Sequence, residues 1–286
     1  MEFGLTAVEF DLQNLEAALK AGRKYTYLPF SLHIFESVSS TNQTLWDLLN
    51  QGAISGTVVI ATQQTAGRGQ WGRKWISPAG GLYLSVAISF DKLQGIYIPK
   101  IEATDSYQLT FATAWGIAFQ LRQCGVNVGI KWPNDLVLDG RKLGGILTET
   151  KVNKGQITQA VIGVGINWTN SVPETGINLE SWQASQDFRP IPCLEMLTST
   201  VLLGIESGME CLSQEGVSIL LSRYLDLLTN MGDQVYVNNL SGTVVGVTPQ
   251  GNLRVDLETG DTKEQITPEI YIEPGTISLG YHKSSV

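Results

Sequence analysis

Hydrophobic positions along this chain change period several times, and each change marks an element. Residues 12–19 form a short amphipathic stretch, followed by a mixed segment up to Pro29. Over 42–50, Leu45, Leu48 and Leu49 fall at helical spacing; Ser40 or Thr41 supplies a cap and Gly52 a stop. The β-branched run 57–61 predicts a buried strand. Leu82, Leu84, Val86, Ile88 and Phe90 alternate with smaller residues and predict a period-two strand. A long helix is predicted over 106–124, closed by Gly125. Short strands follow over 128–132, 136–138, 145–150 and 158–166. Between 193 and 231 the pattern predicts two helices, the first left open at Gly204 and Gly208, the second carrying Ile219, Leu220, Tyr224, Leu227 and Leu228.

After Gly232 the texture changes. β-like segments at 234–237, 243–247, 253–257, 262–266 and 270–272 are separated by turn signals such as Gln250-Gly251 and Thr259-Gly260. That spacing predicts a small β-barrel of roughly fifty residues, near the lower limit for independent stability and so leaning on its neighbour. The expected organisation is a mixed α/β (α+β) body over 1–231 and a small barrel domain over 232–286.

Composition narrows the class. The chain has 286 residues, 43% of them hydrophobic, enough for a packed core. No run of about 18 apolar residues predicts a membrane span. Glu2, Glu9, Asp11 and Gln13 stand where a secretory signal needs a basic region and an apolar core, so none is expected. Cys124, Cys193 and Cys211 are an odd set without metal-ligand spacing, which suits a reducing compartment and makes the cytoplasm the expected address. A net charge of −8 argues against general nucleic-acid binding. Yet no acidic residue lies between Asp47 and Asp91, where Arg68, Arg73 and Lys74 fall. Such an island suits a small anion or a merely solvated loop.

Candidate chemistry concentrates in glycine-marked segments. In the run from Gln64 to Trp75, Gly67, Gly69 and Gly72 free the backbone to turn its N–H groups inward, and Arg68 and Arg73 can fork onto carboxylate or phosphate oxygens. Alone, this is an anion-binding loop or a flexible connector. It is neither the phosphate loop of nucleotide hydrolases nor the dinucleotide fingerprint. Trp75 suits either a ligand wall or a core. Lys131-Trp-Pro-Asn-Asp135 ends a strand, where α/β sheets commonly bind ligands, although an ordinary strand-to-turn junction reads the same way. Lys142-Leu-Gly-Gly145-Ile-Leu147 and Gly163-Val-Gly-Ile-Asn167 carry glycines that mark a bulge or close approach, suggesting a slot beside the sheet. His33 and His282 flank no nucleophile or ligand motif, so catalysis should rest on positioning and electrostatics.

These segments, in this order, resemble the biotin–protein ligase family: Ser40-Thr41-Asn42 opening the first helix, the loop from Gly67 to Trp75, Lys131 to Asp135, Lys142 to Leu147, and Gly163 to Asn167. Each is weak alone, and together they span roughly residues 35 to 275. The resemblance implies a mixed-sheet biotin/lipoate ligase domain of the class II synthetase-like type, with an SH3-like C-terminal barrel. It implies activation of biotin by ATP, with Mg²⁺, to biotinyl-AMP, then transfer to a lysine of a biotin carboxyl carrier protein such as that of acetyl-CoA carboxylase. Ser40, Thr41, Asn42 and Gln64 would hold the ureido head; Gly67, Trp75, Gly145 and Gly163 would line the slot. Arg68 and Lys131, the catalytic pair, would hold carboxylate and α-phosphate. Gly69, Gln70, Arg73, Trp75, Asn134, Lys142 and Asn167 would serve the nucleotide.

Two departures stand out. Gln70 occupies a position where the family often has a second arginine, which removes one electrostatic contact to the adenylate. The motifs begin near residue 40, so the expectation is a monofunctional ligase without an N-terminal DNA-binding domain, monomeric or homodimeric. Because every matched motif precedes residue 168, removal of the C-terminal barrel is expected to damage transfer to the carrier more than adenylate synthesis. The competing readings are a lipoate–protein ligase and a biotin-responsive nucleic-acid-binding regulator.

Overall fold

The computed structural model describes residues 10–23, 27–90, 100–237, 240–258 and 269–281. Its first seven strands are β1 (Ser31–Val38), β2 (Thr57–Gln64), β3 (Gly81–Ser89), β4 (Gly129–Lys131), β5 (Asp135–Leu138), β6 (Arg141–Asn153) and β7 (Gln156–Asn167), of which β1 had no counterpart among the sequence expectations. They form one seven-stranded sheet in the order β1-β2-β3-β7-β6-β5-β4. β1 and β2 are parallel and every other neighbouring pair is antiparallel, so the sheet is mixed as expected. A parallel pair needs a crossover. The helix α2 (Thr41–Asn50) supplies it.

Strand β3 is buried on both faces from Gly81 to Ile88. It lies centrally, and its two faces meet different layers. Leu82, Leu84, Val86 and Ile88 join the large core with Leu109, Ile117, Val201 and Ile205, while Ala87 joins a smaller cluster with Leu45, Leu49, Val59 and Val161. The first layer contains α1 (Leu12–Gly22), α3 (Tyr107–Gln123), α5 (Leu194–Gln214) and α6 (Val217–Asp226). The second is α2. A short helix, α4 (Leu179–Gln183), had no periodic signal.

Helix α5 runs unbroken through Gly204 and Gly208, the two positions the sequence pattern left open. The glycines serve packing instead. A Cβ at Gly208 would stand 2.0 Å from the carbonyl oxygen of Ala112, and one at Gly116 would stand 2.0 Å from that of Gly204. α3 and α5 therefore touch backbone to backbone.

The C-terminal barrel is the expectation the structure overturns. β8 (Gln234–Val237), β9 (Leu240–Val247), β10 (Leu253–Leu257) and β11 (Glu269–Ile272) form an open antiparallel sheet in the order β11-β10-β9-β8. Among the described residues β8 and β11 are its edges and do not pair, so the sheet is not closed into a barrel. Closure would require the sheet to curl around its own apolar face. That face is already covered: Val235, Val244, Val247, Leu253, Val255, Leu257 and Ile272 belong to the same core as the main sheet. Trp132 Nε1 donates to the Gly251 carbonyl at 2.8 Å, and Gln250 donates to Asp105 at 3.0 Å, fixing the seat. The predicted strand 262–266 lies outside the described residues. Among the described residues, no helix is long and apolar enough to cross a membrane.

Candidate active site

The site is built on the α2 side of the sheet, and strand register decides which residues reach it. Tyr83 pairs Gly165, which pairs Gly145, which pairs Asp135. One row further, Ser85 pairs Gly163, which pairs Leu147. Directly paired residues share a face. The glycines therefore form a floor without side chains, and their neighbours fill the space. A Cβ at Gly163 would lie 2.2 Å from Asn42 Oδ1, and one at Gly165 would lie 2.4 Å from Trp75 Nε1. Above this floor lies a cavity that opens to solvent.

At one end, the first turn of α2 meets a closed polar network. Ser40 occupies the cap position but makes no side-chain cap bond. Gln64 supplies the acceptor from β2: its Oε1 accepts from Thr41 N at 2.8 Å and from Thr41 Oγ1 at 3.2 Å, while its Nε2 donates to Ser77 Oγ at 2.8 Å. Ser85 Oγ lies 2.8 Å from Thr41 Oγ1 and 2.6 Å from Asn42 Oδ1. Ser40, Thr41, Asn42 and Ser85 are all buried. Their geometry is thus set before any ligand arrives.

The glycine-rich loop forms a tight hairpin over the cavity. Gly69 N donates to Arg73 O at 2.7 Å and Trp75 N donates to Gly67 O at 3.0 Å. At the tip, Trp71 has φ 55° and Gly72 φ 73°. Two buried polar atoms here, Gln70 Oε1 and Trp75 Nε1, have no hydrogen-bond partner among the described residues. An unpaired buried acceptor and donor each cost free energy, so a polar ligand reaching them gains from both.

At the other end, cations gather around one carboxylate. Lys142 Nζ stands 2.6 Å from Asp135 Oδ1, and Lys131 Nζ 4.0 Å from Asp135 Oδ2. Burial pushes the Lys131 pKa down; Asp135 opposes this, and Lys142 and Arg73 add to it. Tyr281 closes this end: its hydroxyl donates to Asp135, and its ring centroid lies 4.1 Å from Lys131 Nζ. Burial, reinforced by Asp135, holds that phenol well above the ordinary tyrosine range, so it stays a donor.

Among the sequence candidates, Ser40, Thr41, Asn42, Gln64, Arg68, Gly69, Gln70, Arg73, Trp75, Lys131, Asn134, Lys142, Gly145 and Gly163 line this single cavity. Gly67 lines only the adjoining cleft beneath the hairpin. Asn167 is not in the lining; its amide donates to Lys142 O at 3.4 Å and its Oδ1 accepts from Asn170 at 3.0 Å. Asp135, Ser85 and Glu149 were missed as functional candidates. Asp135 stood inside the quoted motif, whereas Ser85 appeared only as a polar residue in an apolar strand. Gly275, Ile277, Ser278 and Leu279 also line the cavity. The cavity therefore has a wall from beyond residue 168, although every matched motif lies before it.

Comparison with known proteins agrees with this geometry. Residues 34–167 match the biotin/lipoate A/B protein ligase family. The bifunctional ligase/repressor BirA of Escherichia coli is 32% identical over 234 residues, covering 79% of this chain and 69% of that protein. Its counterpart in Bacillus spizizenii is 30% identical over 274 residues, covering 87% and 76%. The solved structure of a biotin protein ligase from Aquifex aeolicus in complex with biotin and ATP superimposes with a TM-score of 0.62 at 22% identity, covering 84% of this chain and 95% of that one, and so shares the fold. On sequence and fold together, the chain belongs to the biotin/lipoate A/B protein ligase family.

Proposed function

We propose that this chain is an ATP-dependent biotin–protein ligase, which forms biotinyl-5′-AMP and transfers biotin to a lysine of a biotin carboxyl carrier protein. The observation that carries this reading is one cavity joining a pre-set polar pocket at the α2 N-terminus to a cation cluster at Lys131, Lys142 and Arg73. The polar end suits the ureido head and the glycine floor lets the fused rings approach the sheet closely. The cationic end suits a carboxylate meeting a triphosphate.

The chemistry needs little beyond this. Biotin's carboxylate is already ionised at neutral pH, so its attack on the α-phosphorus requires no general base. The new C–O–P bond forms as the bond to pyrophosphate breaks, and the barrier is chiefly repulsion between anions. Lys131, Lys142, Arg73 and Arg68 line the space where that charge builds, the two lysines held in place and partly shielded from water around Asp135. The carrier lysine, as the free amine, then attacks the mixed anhydride and expels AMP. Among the described residues, no cluster of three His, Cys, Asp or Glu is placed to hold a metal. Magnesium would enter with the triphosphate, the usual arrangement for an ion that keeps waters and phosphates as ligands, and Asp135 is the lining carboxylate that would face it. Bound there, it would supply further charge neutralisation.

The test is incubation with a carboxylase carrier domain, ATP and either biotin or lipoate. We expect biotin-dependent pyrophosphate release and a mass increase on the carrier. Modification by lipoate in preference to biotin, or ATP turnover without biotin, would overturn the reading.

A further inference from the structure

Arg68 has two calls on its guanidinium. It lines the cavity, yet its Nη2 donates to Glu149 Oε2 at 2.9 Å. That same oxygen accepts from Asn42 Nδ2 at 3.0 Å and from Trp46 Nε1 at 3.1 Å. Asn42 and Trp46 lie one turn apart on α2, so their donors converge on one point. Glu149 lies on β6 opposite Val161, on the same sheet face as the cavity floor. It lines the cleft beneath the hairpin and not the cavity itself. The carboxylate is thus pinned by neutral donors from α2 and holds the loop's cation from outside the ligand space.

We propose that Glu149 is a positioning residue that acts as an internal counter-ion for Arg68, which an incoming phosphate anion must displace. The proposal rests on the ligase reading only for the identity of that anion. Exposure supports exchange: the Arg68 and Glu149 side chains retain 38% and 28% of their accessible surface, so solvent screens the pair. Asn42 and Trp46 explain why Glu149 stays behind when Arg68 leaves. A free carboxylate would follow the guanidinium towards the phosphate and repel it. Asn42 also connects the device to the polar pocket, because its Oδ1 accepts from Ser85 while its Nδ2 holds Glu149. A ligand that engages Asn42 alters the anchoring of the competitor and hence the freedom of Arg68. Glu149 would in this way link occupancy at one end of the cavity to anion binding at the other.

The test is a double-mutant cycle with inorganic pyrophosphate as probe, measured by calorimetry on wild type, Glu149→Gln, Arg68→Gln and the double variant. Glutamine keeps an acceptor for Asn42 and Trp46 but removes the charge that competes for Arg68. Glu149→Gln should bind pyrophosphate up to about fivefold tighter, the range expected on freeing a screened ion pair. That gain should vanish when Arg68 is already glutamine. Unchanged or weaker binding would overturn the proposal, as would a gain that persists without Arg68, which would reflect only net charge. Biotin-dependent pyrophosphate exchange by the wild type is run in parallel. Its failure would sink the ligase reading while the cycle still decides the role of Glu149, because pyrophosphate binding needs no biotin chemistry.

Discussion

Replacing Lys131 with alanine separates charge stabilisation from packing, because the surroundings limit the structural damage. Lys131 is only 8% exposed and stands 4.0 Å from Asp135. Removing one member of a buried pair is usually costly because the other charge is stranded. Here Asp135 keeps Lys142 at 2.6 Å and the Tyr281 hydroxyl. Losing buried methylenes costs about 0.8 kcal/mol each, and losing a desolvated ammonium offsets part of that. Unfolding free energy should therefore fall by no more than about 2 kcal/mol. A charge-assisted contact contributes about 1.5–3 kcal/mol, and this one should strengthen as charge builds on the transferring phosphate. The loss should be roughly 10- to 150-fold in kcat for biotin-dependent ATP–pyrophosphate exchange, with biotin Kd changed far less. Since burial depresses the Lys131 pKa, wild-type turnover should fall as pH rises through a value below the ordinary lysine range, and that limb should be missing in Lys131→Ala. The stability sign is opposite. Between the folded and unfolded pKa values the unfolded chain binds more protons, so Lys131's contribution to stability improves as pH rises across that window. Exchange within twofold of wild type, or a rate loss matched by equal loss of biotin affinity, would refute the argument.

Gly165→Ala puts a Cβ 2.4 Å from Trp75 Nε1 and 2.7 Å from its Cε2, so the indole must shift; overpacking of this kind costs about 1–3 kcal/mol, and biotin affinity by calorimetry should drop roughly tenfold or more while helix content is kept. Ending the chain after Ile272 removes the wall at Gly275–Leu279 and the Tyr281 contact, and should impair pyrophosphate exchange as well as carrier transfer; full exchange in a folded truncation would count against that wall. Gln70→Arg introduces a cation where a buried amide oxygen lacks a partner, and should slow release of free biotinyl-AMP in the absence of carrier, measured by chromatography. An unchanged rate there would mean that position 70 plays no part in containment.

The sequence announced most of the sheet because period-two runs and glycine spacing are local signals. Gly163 and Gly165 were legible as close approaches, although nothing in the sequence said that the approaching groups are Asn42 and Trp75. The α5 glycines show how the same residue misleads. A helix-breaking propensity of about 1 kcal/mol each is outweighed by backbone contact with α3, which is visible only in tertiary structure. The open C-terminal sheet failed for a related reason: turn spacing predicts strands but not what covers their apolar face. Lys131, Lys142 and Arg73 were found from motifs. Tyr281 was not, because a lone tyrosine carries no pattern until the chain returns it to Asp135.

That return has a kinetic consequence. Tyr281 and Asp135 are 146 positions apart, whereas the Thr41–Gln64 contact spans 23. Loop closure becomes entropically more costly with length, and distant pairings form late. The Thr41–Gln64 contact can therefore form early, whereas the cation cluster acquires its Tyr281 lid only when the C-terminal segment docks.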